Sequence, residues 1–239
     1  MEKNNLNQTF GNQSVTNKQR EQLIRRVFNK VAPRYDLMND AMSFGIHRLW
    51  KRKLVKLAKP QADQLIVDLA GGTGDVAIKM ASENNLVLLA DPSLAMLEEG
   101  KKRHNINCIA TTGEQLALAD NSIDTVTIAF GVRNMTQMEK GLEEMQRVLK
   151  PGGRILCLEF STPQKWLKPF YNLYSHYVIP RLGAWIAKQP EAYTYLIESI
   201  RRFPDQEEMK NTMQEIGFSD VNYHNLSFGI ACIHIGTKV

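Results

Sequence analysis

The chain has 239 residues, of which 43% are hydrophobic and 23% are charged. These proportions exclude a disordered chain, and the length fits one sizeable domain with an inserted segment better than two full domains. No uncharged apolar run reaches the ~18 residues that a membrane-spanning helix needs. The 30 basic and 25 acidic residues give a formal charge of +5, which permits an acidic partner such as anionic lipid or RNA without requiring one.

The cysteines and the N-terminus indicate a compartment. Cys108, Cys157 and Cys232 are odd in number and far apart, so they form neither a disulfide framework nor a metal-binding spacing. Residues 1–18 are polar, lack the apolar segment of a secretory signal and are predicted to be a disordered tail. We expect a cytoplasmic protein, with or without contact to the inner leaflet of the membrane, in which residues 19–239 form a single domain.

The predicted elements alternate along most of the chain. Apolar residues at helical spacing predict a helix over 19–31, which Pro33 ends, then a loop over 34–40 and a helix over 44–59. Short apolar runs separated by helical stretches predict five strands, over 65–70, 86–91, 106–110, 125–130 and 154–160. Continuous apolar strands that alternate with helices are typical of an α/β fold with a parallel sheet covered on both faces.

The C-terminal third breaks this alternation. Residues 163–204 are predicted to form an aromatic-rich helical insert, followed by a helix over 206–217 and strands over 220–225 and 230–238. The link between those strands is too short for a crossover helix, so they are expected to pair as an antiparallel hairpin.

The first strand ends in a glycine-rich turn, Asp68-Leu-Ala-Gly71-Gly72-Thr73-Gly74-Asp75. The turn fits the dinucleotide fingerprint, and Asp91 follows Gly72 by 19 residues at the end of the second strand, where a ribose-binding carboxylate belongs. This motif admits a nicotinamide cofactor or S-adenosylmethionine.

The acids beside the glycines favour the second cofactor. Asp68 and Asp75 would repel a pyrophosphate at the helix N-terminus, whereas they would attract a sulfonium and an ammonium group. Alternatively, Asp75 is only an acid in the first turn of a helix. We expect Gly72 and Gly74 to let the backbone approach the ligand.

The other roles follow from position in the predicted sheet. Asp68 is expected to orient the turn or the ammonium group, and Asp91 to accept hydrogen bonds from the ribose hydroxyls. Thr112 and Gly113 follow the third strand and are expected to border the adenine.

Two longer segments are more specific than the glycine turn. They are Tyr35-Asp36-x-Met38-Asn39-x-x-Met42-Ser43-x-x-x-His47-x-x-Trp50 and Arg147-Val148-Leu149-Lys150-Pro151-Gly152-Gly153-Arg154-x-x-x-x-Glu159-x-Ser161. With the glycine turn and Phe130-Gly131-Val132-Arg133-Asn134, they resemble the ubiquinone/menaquinone biosynthesis C-methyltransferase family from about Val27 to the C-terminus.

The resemblance implies a Rossmann-like class I S-adenosylmethionine-dependent methyltransferase fold, with seven strands and the last one antiparallel. It implies methyl transfer to a ring carbon of a polyprenylated benzoquinol or of demethylmenaquinol. We also expect a quinone-biosynthesis complex or a homo-oligomer as partner and no nucleic acid. No metal is expected, because no histidine or cysteine has a metal-binding spacing. Cofactor-contacting positions in that family fall on Thr73, Asp91, Thr112, Gly113 and Ala129. Many members have Asn or Asp in place of Thr112 and Ser in place of Ala129.

Such a reaction needs the ring carbon to be aligned with the methyl group of the cofactor, and it needs a base that acts on the ring hydroxyl. Arg133 and Asn134 follow the fourth strand and are candidates to stabilise the phenolate and to orient the quinol oxygen. The alternative for Arg133 is an interior ion pair with Glu159.

Four further candidate residues lie outside the sheet. Tyr35 and Asp36 are placed on a loop that closes over the site or simply connects two helices. His176 is a candidate base in the aromatic insert, or a packed residue. His47, at helical spacing to Trp50, is interpreted mainly as packing.

The insert mixes basic and aromatic side chains over residues 165–202, which suits a membrane interface, or else it is a helical cap with solvated charges.

Three rival functions stay open: an NAD(P) oxidoreductase, a methyltransferase acting on RNA or another small molecule, and a catalytically silent S-adenosylmethionine-binding partner.

Overall fold

A computed structural model describes residues 9–10, 13–32, 35–174, 177 and 190–239 of the chain. The strands of its main sheet are β1 Leu65–Leu69, β2 Leu86–Asp91, β3 Asn107–Ala110, β4 Ile123–Ala129, β5 Leu149–Phe160, β6 Phe218–Leu226 and β7 Ala231–Lys238. The α-helices of the described residues are α1 Asn17–Val31, α2 Tyr35–Ser43, α3 Ile46–Ala58, α4 Ala77–Met80, α5 Leu94–Arg103, α6 Met138–Val148, α7 Lys168–Leu173, α8 Pro190–Arg202 and α9 Gln206–Ile216.

The seven strands lie in the order β3-β2-β1-β4-β5-β7-β6. Strands β1 to β5 pair in parallel, and β7 is inserted antiparallel between β5 and β6. This confirms the predicted mixed sheet and its terminal hairpin. The strand order reverses between β1 and β4, and the carboxyl ends of the strands at such a switch point border a crevice that binds ligands in open α/β sheets.

Helices cover both faces of the sheet and fix the position of that crevice. On one face, Leu142 and Met145 of α6 and Met209 of α9 are fully buried. On the other face, Leu54 of α3 and Ala77 of α4 are fully buried. Burial of one large side chain of this kind stabilises the fold by ~1.5–3 kcal/mol, so both layers hold the strands firmly.

The predicted loop over 34–40 is wrong from Tyr35 onward, because Tyr35–Ser43 form α2. Met38 and Met42 lie on one face of this helix and pack into a small apolar cluster with Met96 of α5. The hydroxyl of Ser43 donates to the carbonyl of Asn39 at 2.7 Å within the last turn. The sequence pattern missed this short helix since its apolar face is only two turns long.

Part of the predicted N-terminal tail is structured. Residues 9–10 pair antiparallel with residues 13–14, and the ring of Phe10 stacks on Tyr195 with 4.7 Å between ring centroids. Helix α1 begins at Asn17 because Thr16 and Gln19 form a reciprocal capping box. Residues 1–8 and 11–12 lie outside the described residues.

The predicted helical insert is represented by α7 and α8, while residues 175–176 and 178–189 are not among those described. The candidate base His176 and the basic residues Arg181 and Lys188 therefore lie outside the described part of the chain. Within the described residues, no helix combines the length and the apolar character needed to cross a membrane.

Candidate functional site

The glycine turn between β1 and α4 has a backbone conformation that favours glycine. Gly72 and Gly74 have φ angles of +59° and +84°, a region in which a Cβ atom is unfavourable. A Cβ built on Gly72 would lie 3.9 Å from Tyr35, an ordinary van der Waals distance, so at Gly72 the backbone conformation and not a lack of space favours glycine. A Cβ on Gly74 would lie 3.3 Å from Leu89 of β2, so Gly74 lets the turn pack on the sheet.

Asp68 lies beneath the turn and holds it in place. Its Oδ2 accepts the N–H of Ala77 at 3.0 Å, and its Oδ1 accepts the hydroxyl of Thr127 at 2.8 Å. Complete burial raises the pKa of Asp68 to about 6. Of the two roles predicted for Asp68, these contacts support orientation of the turn.

Asp75 does not support the electrostatic argument made from the sequence. It forms ion pairs with Lys79, one turn along the chain, and with Lys51 of α3 at 3.2 Å. Two ammonium groups therefore neutralise its charge, and Asp75 matches the alternative of an acid near a helix N-terminus. The sequence could not reveal this because Lys51 comes from a different helix.

Asp91, at the end of β2, connects the turn to the next helix. Its Oδ2 accepts the N–H of Gly72 at 2.9 Å, and its Oδ1 accepts the N–H of Ser93 at 2.8 Å. Burial raises the pKa of Asp91 to about 6. Because a carboxylate offers about four lone-pair positions, it can accept further hydrogen bonds from a ligand.

An open cleft of about 830 Å³ lies over the turn, and we call it the glycine-turn cleft. Gly72, Asp91, Thr112 and Gly113 all line it, as the sequence predicts for ligand-contacting residues.

Thr73 and Ala129 do not line this cleft, in contrast to the positions expected from the resemblance. Thr73 is buried, and its hydroxyl donates to the carboxylate of Asp36 on α2 at 3.2 Å. Ala129 packs into the core, and the cleft wall is formed by the two residues that follow it, Phe130 and Gly131.

Helix α1 forms a wall of the glycine-turn cleft that the sequence did not predict. Glu21, Arg25 and Phe28 line the cleft. The buried guanidinium of Arg20 donates to the carbonyl oxygens of Met135 at 2.6 Å and Arg133 at 3.1 Å, which fixes α1 against the loop after β4. The apolar periodicity of α1 predicts a buried face but gives no sign of what that face covers.

A second cavity, which we call the aromatic pocket, adjoins the cleft and has a volume of about 1180 Å³. Tyr35 and Phe130 line both cavities, so they form the wall between them. The rest of the lining is mostly apolar and comes from α2, α3, the end of β5, the insert and the loop before β7. Trp50, Phe130 and Phe160 pack ring against ring there, with centroids 4.7–6.2 Å apart.

Arg133 lies in the wall of the aromatic pocket and also forms the interior ion pair with Glu159 that was its alternative role. Its Nη1 lies 2.8 Å from Glu159 Oε2 and donates to the carbonyl of Phe130 at 2.6 Å. The guanidinium carbon lies 5.3 Å from the centre of the Phe160 ring, and the buried Nε has no hydrogen-bond partner. A cation that is fixed beside an apolar cavity can stabilise negative charge on a bound molecule.

Asn134 lines the glycine-turn cleft, on the other side of the same short segment. Its amide donates to the carbonyl of Phe130 at 3.1 Å, and its Oδ1 accepts the hydroxyl of Tyr195 at 2.9 Å. His47, interpreted from the sequence mainly as a packing residue, lines the aromatic pocket.

Comparison with known proteins decides the family. The model of the ubiE/COQ5 methyltransferase family matches residues 15–238. The chain belongs to this family. A relative from Rubrivivax gelatinosus, named ubiquinone/menaquinone biosynthesis C-methyltransferase UbiE, is 61% identical over 98% of this chain and 94% of its own length. A relative of the same name from Klebsiella pneumoniae is 45% identical, with 96% of each chain covered.

Solved structures confirm the fold of this methyltransferase. A Thermotoga maritima structure described as an S-adenosylmethionine-dependent methyltransferase, possible histamine N-methyltransferase, superposes with a TM-score of 0.67. It is 21% identical and covers 90% of this chain and 100% of its own. A Haemonchus contortus structure, described as phosphoethanolamine N-methyltransferase 2 in complex with phosphomonomethylethanolamine and S-adenosylhomocysteine, has a TM-score of 0.59. It is 15% identical and covers 79% of this chain and 52% of its own.

As a member of the family, the protein is an S-adenosylmethionine-dependent methyltransferase. The lining of the glycine-turn cleft suits that cofactor. Among the described residues, its charged side chains are the acids Glu21, Asp91 and Glu114 and one base, Arg25. A surplus of carboxylates favours a ligand with positive charge over a pyrophosphate, so the conclusion drawn from Asp68 and Asp75 holds although different acids carry it.

Proposed function

We propose that this methyltransferase methylates a ring carbon of a polyprenylated benzoquinol, of demethylmenaquinol, or of both, in ubiquinone or menaquinone biosynthesis. The observation that carries the proposal is the large aromatic pocket beside the glycine-turn cleft, with Tyr35 and Phe130 in both walls. An aromatic ring with a long apolar tail matches such a pocket in shape and polarity. The names of the two relatives support the same substrate class.

In this proposal the cofactor is held by the residues that line the glycine-turn cleft. The Asp91 carboxylate accepts hydrogen bonds from the ribose hydroxyls, and the Gly72 backbone lets the ligand approach. Thr112 and Gly113 border the adenine. S-adenosylmethionine, when bound, supplies an electrophilic methyl group on a sulfonium. The glycine-turn cleft is not lined by Thr73, Gly74 or Ala129. In this proposal these three residues support the cleft wall from behind and do not contact the cofactor.

The aromatic pocket aligns the acceptor ring and stabilises its charge. Phe130 and Phe160 offer ring faces for stacking, and the Arg133 guanidinium lies beside both. Glu159, which is fully buried, keeps that guanidinium in place. We infer that Arg133 stabilises the phenolate form of the ring hydroxyl, because a ring carbon becomes a good nucleophile only when that hydroxyl loses its proton. Tyr35 lies in the wall between the two cavities and Asn134 in the wall of the glycine-turn cleft, and in this proposal both orient the bound ligands.

We also propose that the mouth of the aromatic pocket contacts a membrane. Phe44 and Phe170 line the pocket and are 74% and 67% exposed. We call these two residues the apolar rim. Exposed apolar side chains around a cavity mark an interaction surface, and a polyprenyl tail favours a bilayer as the partner.

The test of the substrate class uses cells that lack the protein. Quinones extracted from those cells and analysed by mass spectrometry should include a benzoquinone or naphthoquinone that is short of one methyl group. The purified protein with S-adenosylmethionine should then methylate the reduced form of that compound. A quinone profile identical to that of the parent cells, with no methylation by the purified protein, would contradict the proposal.

A further inference from the structure

A buried histidine in the wall of the aromatic pocket has a ring nitrogen with no partner. The side chain of His47, on α3, is 5% exposed, and its Nε2 lies 2.9 Å from Asp40 Oδ1 on α2. Its Nδ1 is buried and makes no hydrogen bond. A buried polar atom without a partner costs free energy, so its presence in the wall of a ligand pocket calls for a functional reason.

The contact with Asp40 determines which nitrogen carries the proton. Asp40 also accepts two hydrogen bonds from Arg48, each 2.6 Å long, and this arrangement lowers the pKa of Asp40 to about 2. The carboxylate is therefore ionised and can only accept hydrogen bonds. In the neutral imidazole the hydrogen then lies on Nε2, and the lone pair lies on Nδ1.

The other titratable side chains around the aromatic pocket are poor proton acceptors. An arginine such as Arg133 has no lone pair to offer. Burial raises the pKa of Tyr171 to about 12 and raises the pKa of Tyr174, so both stay protonated. Tyr35 carries a phenol hydroxyl, which is the same chemical group as the one to be deprotonated. Among the described residues that line the pocket, His47 is the side chain suited to accept a proton at neutral pH.

We propose that His47 is the general base that deprotonates the ring hydroxyl of the acceptor, with Asp40 as its positioning residue; this rests on the quinol methyltransferase function proposed above. The hydroxyl proton moves to Nδ1, and the O–H electron pair stays on oxygen, which gives a phenolate beside Arg133 and an imidazolium beside Asp40. The ring carbon then forms its bond to the methyl group while the C–S bond breaks and its electron pair stays on sulfur. The ring carbon loses its hydrogen as a proton, the imidazolium gives its proton back to the oxygen, and one proton is released per turnover.

Burial and the charges around His47 together favour its neutral form. Burial lowers its pKa from the ordinary value near 6.5, Lys51 and Arg48 of its own helix lower it further, and Asp40 of α2 opposes them. Lys51 is partly neutralised by Asp75, which precedes α4. The imidazole is therefore unprotonated above pH 6.5, and its base function is lost as the pH falls through the lowered pKa.

The experiment compares His47→Gln with His234→Gln in the full chain. His234 is a matched control because it is 2% exposed, its Nε2 contacts the Gln206 carbonyl, its Nδ1 also lacks a partner and it lines neither cavity. We expect His47→Gln to lower kcat about 10²- to 10⁴-fold, the usual contribution of a positioned base, and to remove the acidic limb of the kcat–pH profile. His234→Gln should keep the parent's kcat and the acidic limb of its kcat–pH profile. The two variants should bind S-adenosylmethionine as the parent does.

Two further measurements separate a base from a packing residue. Imidazole added to His47→Ala should restore part of kcat, because it can occupy the vacated space and accept the proton. Asp40→Asn should move the acidic limb to lower pH, since the carboxylate that favours the imidazolium is gone. A bound nitrophenol analogue, without any methyl donor, should show phenolate absorbance at neutral pH in the parent and in His234→Gln, and much less in His47→Gln.

A His47→Gln variant that binds S-adenosylmethionine, retains near-normal kcat and keeps the acidic limb would overturn the assignment of His47. If instead the parent enzyme methylates no quinol at all, the proposed substrate class fails, and the nitrophenol titration still reports whether His47 accepts a proton from a phenol.

Discussion

The glycine-turn cleft and the aromatic pocket share a wall but are built differently. The cleft is made largely at the ends of β1, β2 and β4, where the Asp91 carboxylate accepts the N–H of Gly72 and fixes the turn to the sheet. The pocket is enclosed mainly by side chains of helices and loops, several of which are exposed at its mouth. We infer that cofactor binding is supported by a rigid scaffold, whereas the acceptor site can vary in shape without altering the sheet.

The largest effect that separates the two regions is expected for Arg133→Gln. Loss of the cation beside the acceptor ring should lower kcat by about 10²- to 10³-fold, comparable to removal of an oxyanion-stabilising group. Affinity for S-adenosylmethionine, measured by calorimetry, should stay within a factor of about two. Arg154→Gln is the control, because Arg154 lies on β5, the strand that carries Glu159, and donates to the carbonyl of Leu57 outside both cavities. Near-normal turnover in Arg133→Gln would exclude Arg133 from the mechanism.

The converse variant is Asp91→Asn. An amide accepts fewer hydrogen bonds and carries no charge, so affinity for S-adenosylmethionine should fall about 10- to 100-fold, as expected for ~1.5–3 kcal/mol from hydrogen bonds to a charged group. Binding of a prenylated phenol to the aromatic pocket should be unchanged. Asp124→Asn provides the comparison, since Asp124 accepts the Leu65 N–H at 2.8 Å at the opposite end of the sheet. If Asp91→Asn weakened the binding of S-adenosylmethionine and of the prenylated phenol equally, the two sites would not be separable.

The apolar rim is tested with Phe170→Ser. Loss of an exposed aromatic anchor should raise KM for a polyprenylated quinol in anionic vesicles about tenfold, equivalent to roughly half of the ~1.5–3 kcal/mol of a fully buried side chain. KM for a short-tailed quinol in solution should not change. Leu86→Ser, which alters a side chain that is 50% exposed at the start of β2, should affect neither value. Unchanged vesicle sedimentation and KM in Phe170→Ser would remove the rim from membrane contact.

The smallest expected effect is the pH dependence of cofactor affinity. The pKa of Asp91 is raised to about 6 in the protein alone, and a ligand that donates hydrogen bonds and carries positive charge binds its ionised form. Affinity should therefore increase as the pH rises through 6 and should be about fourfold weaker at pH 5.5 than at pH 7.5. Asp91→Asn should show a flat profile over that range, and a parent profile without this slope would contradict the role of Asp91.

The same contrast explains what the sequence could predict. The fold follows from local patterns, because apolar runs, the glycine turn and the short link before β7 each specify their own geometry. Gly72, Asp91, Thr112 and Gly113 were predicted since each comes at the end of a strand in a parallel sheet. The aromatic pocket was not predicted, because residues such as Tyr35, Phe160 and Ile200 meet only through tertiary packing. Asp75 shows the same limit, since its partner Lys51 comes from a separate helix.

Tyr35 and Phe130 each line both cavities, so their side chains form the partition between them. Two ligands on either side of this partition can be joined into one molecule. An adenosyl group tethered through a short linker to a prenylated phenol would occupy both cavities at once, and the second binding event would become intramolecular. Such a bisubstrate inhibitor should exceed the affinity of either half by up to ~10²–10⁴ if its linker spans the partition without strain.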